Sequence, residues 1–244
     1  MKTISLWVVI LSSLLISCTN DEVINTNENA SKEVDQISTG LSPTDVANPV
    51  NPYDKLGQAY EDILTVYETL DTNSDTTILR ISERVSKIAL QNKDLMSLNM
   101  GNNTSVVSPK EIELLLKNPM SSLQETLAKS SMTIDAKRCL FDFINSLLLQ
   151  ENEEYDIIYQ QIIAFEILVI NNSTFTTDDK KIILLSSSLA KHILRVIKKR
   201  KDPDWKTSIG NFEGGVKGLI ESPFQAVTTA VVLDIIKQKN ILSR

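Results

Sequence analysis

Apolar positions along this 244-residue chain fall into three regimes. An almost uninterrupted apolar run covers Ile4 to Ile16, directly behind Met1 and Lys2. From Thr19 to about Val50 the chain is polar, and its single Val and Ile residues cannot form a face. Beyond Asn51 the apolar residues recur at steps of three and four, the period of amphipathic helices. No stretch alternates with period two over a strand's length. The pattern predicts an all-α, multi-helix bundle that follows a disordered N-terminal tether.

Within the bundle, Asn51-Pro52-Tyr53-Asp54 reads as a helix start: Asn caps, Pro opens the first turn, and an acid suits the dipole. Tyr53, Leu56, Tyr60, Ile63, Leu64, Tyr67 and Leu70 give that helix one face, interrupted by Gly57. Ile78, Ile81, Val85 and Ile88 predict a second helix, and about Asn99 to Val107 reads as a loop. Ser108-Pro109-Lys110-Glu111 has the form of a capping box, and Pro119 stops the helix that it starts. A short segment with Met120, Leu123 and Leu127 precedes a helix from about Ile134 to Gln150. The next helix, to about Ile170, is apolar almost all round and is expected at the centre of the core. Thr177 is read as the cap of a long helix that closes on Lys198, Lys199, Arg200 and Lys201. Asp202-Pro203 restarts the chain into a helix with Gly210, Gly214 and Gly218 at four-residue steps, and Ser222-Pro223 opens the last one.

Composition agrees with helices: Gly and Pro number 7 each, and the hydrophobic fraction is 42%. A net charge of −6 argues against a general nucleic-acid binder and leaves solubility as its main consequence. Only two cysteines are present. Their placement bears on where the chain resides.

Leu15-Ile16-Ser17-Cys18 ends the first apolar run, which is too short for the ~20 residues a membrane span needs. The segment has a cationic start, an apolar middle and a small residue before cysteine, the layout of a secretory signal. It resembles a bacterial, Gram-negative lipoprotein box. That resemblance implies a signal peptide over residues 1–17 and a palmitate-type lipid anchor on Cys18, and the patterning places a tether over 18–50 and a helical domain over 51–244. The glycine-spaced helix pair occupies 202–244. Thr19 after the cysteine implies the outer membrane, facing the periplasm or the surface. With Cys18 lipidated, Cys139 is left without a partner and reads as a buried, inert thiol.

Candidate chemistry is sparse. Asp71-Thr72-Asn73-Ser74-Asp75 begins like a calcium loop, but Thr76 stands at its sixth place and Ser82 at its twelfth, where Gly and Glu belong. His192 is the sole histidine, so zinc chemistry lacks ligands, and it is expected on a helix surface near a basic end. The glycines between Gly210 and Gly218 lack the ending of a phosphate loop. No catalytic motif, metal site or cofactor site emerges, so the expectation is a protein that is not an enzyme.

Two features carry alternatives. Lys198, Lys199, Arg200 and Lys201, with Lys191 and Arg195 upstream, are either cations at a helix C-terminus or a contact for an anionic surface. Gly210, Gly214 and Gly218 form either a helix-contact stripe inside the bundle or a membrane-facing one. The Asn51–Asp54 motif and the glycine-spaced helix after Trp205 also resemble an uncharacterised group of exported Gram-negative proteins, whose resemblance implies no activity. The expected role is a lipid-anchored interaction or accessory module with an unidentified protein partner. The alternative is a toxin-like protein that acts on membranes through its C-terminal helices.

Overall fold

A computed structural model of the chain describes residues 47–100, 103–201 and 205–239, which form ten α-helices and no strand. Cys18, the signal segment and nearly all of the tether lie outside the described residues, as does the Asp202-Pro203 restart. In order, the helices are α1 (Lys55–Thr69), α2 (Ile78–Ala89), α3 (Lys93–Asn99), α4 (Pro109–Lys117) and α5 (Pro119–Lys129). They continue with α6 (Ile134–Leu148), α7 (Tyr155–Asn171), α8 (Thr177–Arg200), α9 (Trp205–Glu221) and α10 (Pro223–Gln238).

Local chemistry sets most of the boundaries. Ser222 accepts from the Gln225 amide at 3.1 Å and Pro223 opens α10, so the chain reverses within one residue after α9. Thr176, one residue earlier than expected, caps α8 in a full capping box with Asp179. At α4 only half of the expected box forms. Ser108 accepts from the Glu111 amide at 3.2 Å, but the Glu111 carboxylate is drawn instead to Lys217 of α9. Helix α3, absent from the periodicity reading, is started by Asn92, which accepts from the Leu95 amide at 2.9 Å.

The core is centred on α9 and α10, not on α7. Every residue from Pro223 to Ile236 is buried, and α9 is buried on nearly all sides. α9 packs on α10, α5, α8 and α6, while α10 adds contacts to α2, α1 and α3. Small residues make this enclosure possible. A Cβ at Gly214 would meet Leu233 Cδ1 at 2.3 Å, and one at Gly218 would meet the Gln225 carbonyl oxygen at 2.6 Å. Gly210 faces Pro119 of α5, so the glycine stripe divides between two neighbours inside the bundle. In α7, by contrast, large apolar side chains surround the helix. It seats one side on α8 and stacks Phe165 on Phe143 of α6 at 4.1 Å, leaving Ile157, Ile167 and Leu168 exposed. An all-round apolar composition places a helix centrally only when its side chains are small enough for neighbours on every side.

Candidate functional site

Two polar regions meet on α8. The first lies between its middle and α1. Asp54, Glu61 and Glu68 stand seven residues apart and point one way, toward bases of α8. Asp54 pairs with Lys191, Glu61 with His192 and Arg195, and Glu68 with Arg200. These pairs advance in the same sense along both helices, so α1 and α8 run parallel.

At the first rung Lys191 and Glu166 are both fully buried, and the Lys191 ammonium lies 3.3 Å from Glu166 Oε2. Glu166 also accepts from Asn48 at 2.5 Å, from Asn51 at 2.7 Å and from Ser187 at 2.8 Å. Asn51 therefore does not start a helix. Its Nδ2 reaches Glu166 and the Leu184 carbonyl, while its Oδ1 accepts from the Tyr53 amide. The helix waits until Lys55 because Asn51 and Asp54 are engaged by α7 and α8. Residues 47–54 thus form a non-helical strap docked through side-chain hydrogen bonds. Val50 and Pro52 are exposed, and Tyr53 is its one partly buried apolar side chain. Ordering eight backbone residues costs roughly 8–16 kcal/mol. Hydrogen bonds to charged groups return about 1.5–3 kcal/mol each. The docking is therefore close to balance.

At the second rung His192 Nδ1 lies 2.9 Å from Glu61 Oε1, and Arg195 donates to Glu61 Oε2 at 3.2 Å. Burial pushes the Glu61 carboxyl up, but His192 and Arg195 outweigh it and hold it below the usual carboxylate range. His192 is 1% exposed, contrary to the surface position expected for it. Gly57 makes room for the ring: a Cβ there would sit 2.2 Å from His192 Cδ2 and 2.3 Å from the Ser188 carbonyl oxygen. Ser188 stands one turn before His192, yet its hydroxyl accepts from the Gly57 amide and donates to the Asp54 carbonyl. A serine, a histidine and an acid are thus neighbours. Ser188 and His192 are buried against the α1 backbone, and Glu61 is half-buried.

The third rung collects on Asp234 of α10. Arg200 donates to it at 2.8 Å, Tyr60 at 3.2 Å, Gln238 at 3.1 Å and Asn211 at 3.4 Å. Burial and then the Asp234 charge push the Tyr60 phenol well above its ordinary value. Burial works against the Arg200 guanidinium, but Asp234 overcomes it and raises its pKa.

The second region is an open cleft of about 700 Å³ at the C-terminal end of α8. One wall is the turn Glu151–Tyr155. The other is Arg195, Ile197, Lys198, Lys199 and Lys201, with Trp205 opening α9. Trp205 donates to the Leu147 carbonyl at 3.2 Å, and the Lys198 ammonium sits 4.5 Å from its ring centroid. Lys198 also donates to the Glu151 carbonyl at 2.8 Å, and Tyr155 to the Lys191 carbonyl at 3.1 Å. Among the described residues no ion pair joins Glu151, Glu153 or Glu154 to Lys199 or Lys201. Lys201 takes a left-handed conformation (φ 53°), a helix end where glycine is usual.

The basic cluster read from the sequence is therefore divided. Lys191, Arg195 and Arg200 turn to acids of the bundle, Lys198 is fixed on Trp205, and Lys199 and Lys201 face solvent. Asp75, last residue of the calcium-like stretch, is 4% exposed and is held by Arg84 at 2.6 Å and Tyr67 at 3.0 Å. No group of metal-ligating side chains assembles among the described residues. Cys139 is buried on α6 as expected, and it is not a free thiol. Glu166 and Lys191 were missed as partners because the first reads as a polar interruption of α7 and the second as part of a charge run. The signal that could have found them is a charge on the inward-facing stripe of each helix. No protein-family model matches the chain, and neither curated proteins nor solved structures yield a match.

Proposed function

We propose that this chain is a lipid-anchored, extracytoplasmic interaction module of the outer membrane that binds a partner in the cleft at the end of α8. The anchor rests on the lipoprotein-like box at Cys18 and the polar stretch after it. The single observation that carries the binding role is the cleft itself. Its volume suits a ligand, and acids and lysines face one another across it without pairing, while the charges of α1 and the middle of α8 are consumed internally. Walls of opposite sign fit a polypeptide segment that carries both acidic and basic side chains. Enclosure of the serine and histidine that come together beside Glu61 supports binding over catalysis.

A toxin-like action through α9 and α10 draws no support from the packing. These helices are the centre of the core, and among the described residues no helix is long and apolar enough to cross a membrane.

Two measurements test the reading. Fatty-acid labelling of the chain that is lost in Cys18→Ala supports the anchor. Absence of label overturns it. Once residues 1–17 are removed, Trp205 is the sole tryptophan, because the other is Trp7. An alternating Glu-Lys hexapeptide is expected to shift its emission, whereas hexaglutamate and hexalysine are not. A shift with either homopolymer alone, or none at all, overturns the mixed-charge partner.

A further inference from the structure

We infer that residues 47–54 are a releasable latch: they leave the bundle as a unit while the ten helices remain folded. The inference starts from what holds this segment. Asn48 is 4% exposed and Asn51 3%, yet both are seated by carboxamide bonds to Glu166 and the Leu184 carbonyl, not by apolar packing. Asp54 at its end takes the Lys191 ammonium and accepts from the Asn48 amide at 2.7 Å. Polar docking with one partly buried aromatic side chain gives a region of low local stability beside a deeply packed core.

What remains after release also favours it. Glu166 keeps Lys191 at 3.3 Å and Ser187 at 2.8 Å, both supplied by α8, so the opening strands no charge. The Asn-Pro-Tyr-Asp motif then has a physical meaning. Its Asn and Asp are two of the three teeth of the latch, with Asn48 the third, and Pro52 stiffens the turn between them, where Asn51 Oδ1 accepts from Tyr53 and the Asn51 carbonyl from Asp54. Release adds eight residues to whatever precedes them, an extra reach of about 27 Å when extended. If the N-terminus is anchored as proposed above, the latch sets how far the body stands from the membrane. Opening itself does not depend on that anchor.

Native-state hydrogen exchange on the full mature chain tests this. The amides of Asn48, Val50, Asn51, Tyr53 and Asp54 all donate within the latch, and a segment of eight residues does not hold such bonds in water once Asn48 and Asn51 leave Glu166, so each reports its closure. They are expected to show protection that is at least tenfold weaker than the amides of α10 and insensitive to low urea. In Asn51→Ala their exchange is expected to rise about tenfold with that of α10 unchanged. Protection and urea dependence equal to those of α10 would mean that the segment leaves only when the bundle unfolds, and would overturn the inference. So would absence of protection in the unaltered chain, which would mean that the latch is not docked. If Asn51→Ala accelerates α10 equally, the two regions are one unit and the inference also fails.

Discussion

The middle of α8 and its end carry similar residues and treat them in opposite ways. Lys191, His192 and Arg195 face α1 and α7, where each acid that they meet is buried or half-buried and already bonded to other groups. Lys199 and Lys201, two turns later, face an open cleft and no acid reaches them among the described residues. The difference follows from what stands opposite. Asp54 and then Glu61 and Glu68 of α1 meet one face of α8 as far as Arg200, whereas Lys199 and Lys201 lie on a face whose neighbour is a turn set back across the cleft. A charge run in sequence is thus not one physical object: helix phase divides it.

The largest effect is expected at the buried rung. Lys191→Met removes the only cation from a site that holds Asp54 and a fully buried Glu166. Breaking a buried pair from one side costs about 3–5 kcal/mol, because the remaining charge keeps its burial and loses its partner. Urea denaturation of the variant is expected to show a loss of that size. Lys199→Met, at the cleft and only eight residues further along the helix, is expected to stay within about 0.5 kcal/mol of the parent. Equal losses would erase the distinction between the two regions.

Next come the glycines that let the ladder and the core close. At Gly57 an added Cβ meets the His192 ring and a backbone oxygen, neither of which yields cheaply. Gly57→Ala is expected to cost about 1–3 kcal/mol as overpacking. Gly218→Ala meets backbone of α10 and belongs to the same class, while at Gly214 the nearest atom is the flexible end of Leu233 and the cost is expected to be smaller. Thermal unfolding of the three variants checks this order. A Gly214 variant that loses most would place the tightest approach elsewhere than in this packing.

Much of this arrangement was legible in the chain. Apolar recurrence located nine of the ten helices, and Ser222-Pro223 marked the last turn because proline and a capping serine act locally. Helix α3 escaped because seven residues give too little periodicity to detect. The central helix was misplaced for a different reason. Hydrophobic fraction selects α7, but enclosure on all sides depends on side-chain size, which favours the Gly, Ala and Thr of α9 and α10. Burial of His192, Lys191 and Glu166 was hidden because it depends on partners more than twenty residues away. The cleft shows in sequence only as basic and acidic runs about forty-five residues apart.

A pH dependence is expected from the core, away from both regions. Burial pushes the Glu213 carboxyl on α9 up to about 7, against an ordinary value near 4.3. The folded state thus binds this proton more tightly than the unfolded chain does. Its favourable contribution is complete below about pH 4.3 and is lost as pH rises through 7. Glu213→Gln, which carries no charge at any pH, is expected to melt higher than the parent at pH 8 and to show little difference at pH 5. A difference of equal size at both pH values would assign the effect to shape and not to ionisation.

The smallest stability effect sharpens the comparison most, because it is expected to have the opposite sign. Lys201 ends α8 with φ at 53°, where a residue with a Cβ is strained and glycine is not. Lys201→Gly is therefore expected to stabilise the bundle by about 0.5–1 kcal/mol. The same change removes a cation from the cleft, so the emission response of Trp205 to the Glu-Lys peptide is expected to weaken as the melting temperature rises. In the ladder, stability and charge placement go together, and any exchange of Lys191 loses both. At the cleft they separate: a lysine is kept where the backbone favours glycine, which is the arrangement expected when a side chain is retained for what it meets outside the chain. A Lys201→Gly variant that binds the peptide as well as the parent would leave that lysine without a role in the cleft, whatever its gain in stability.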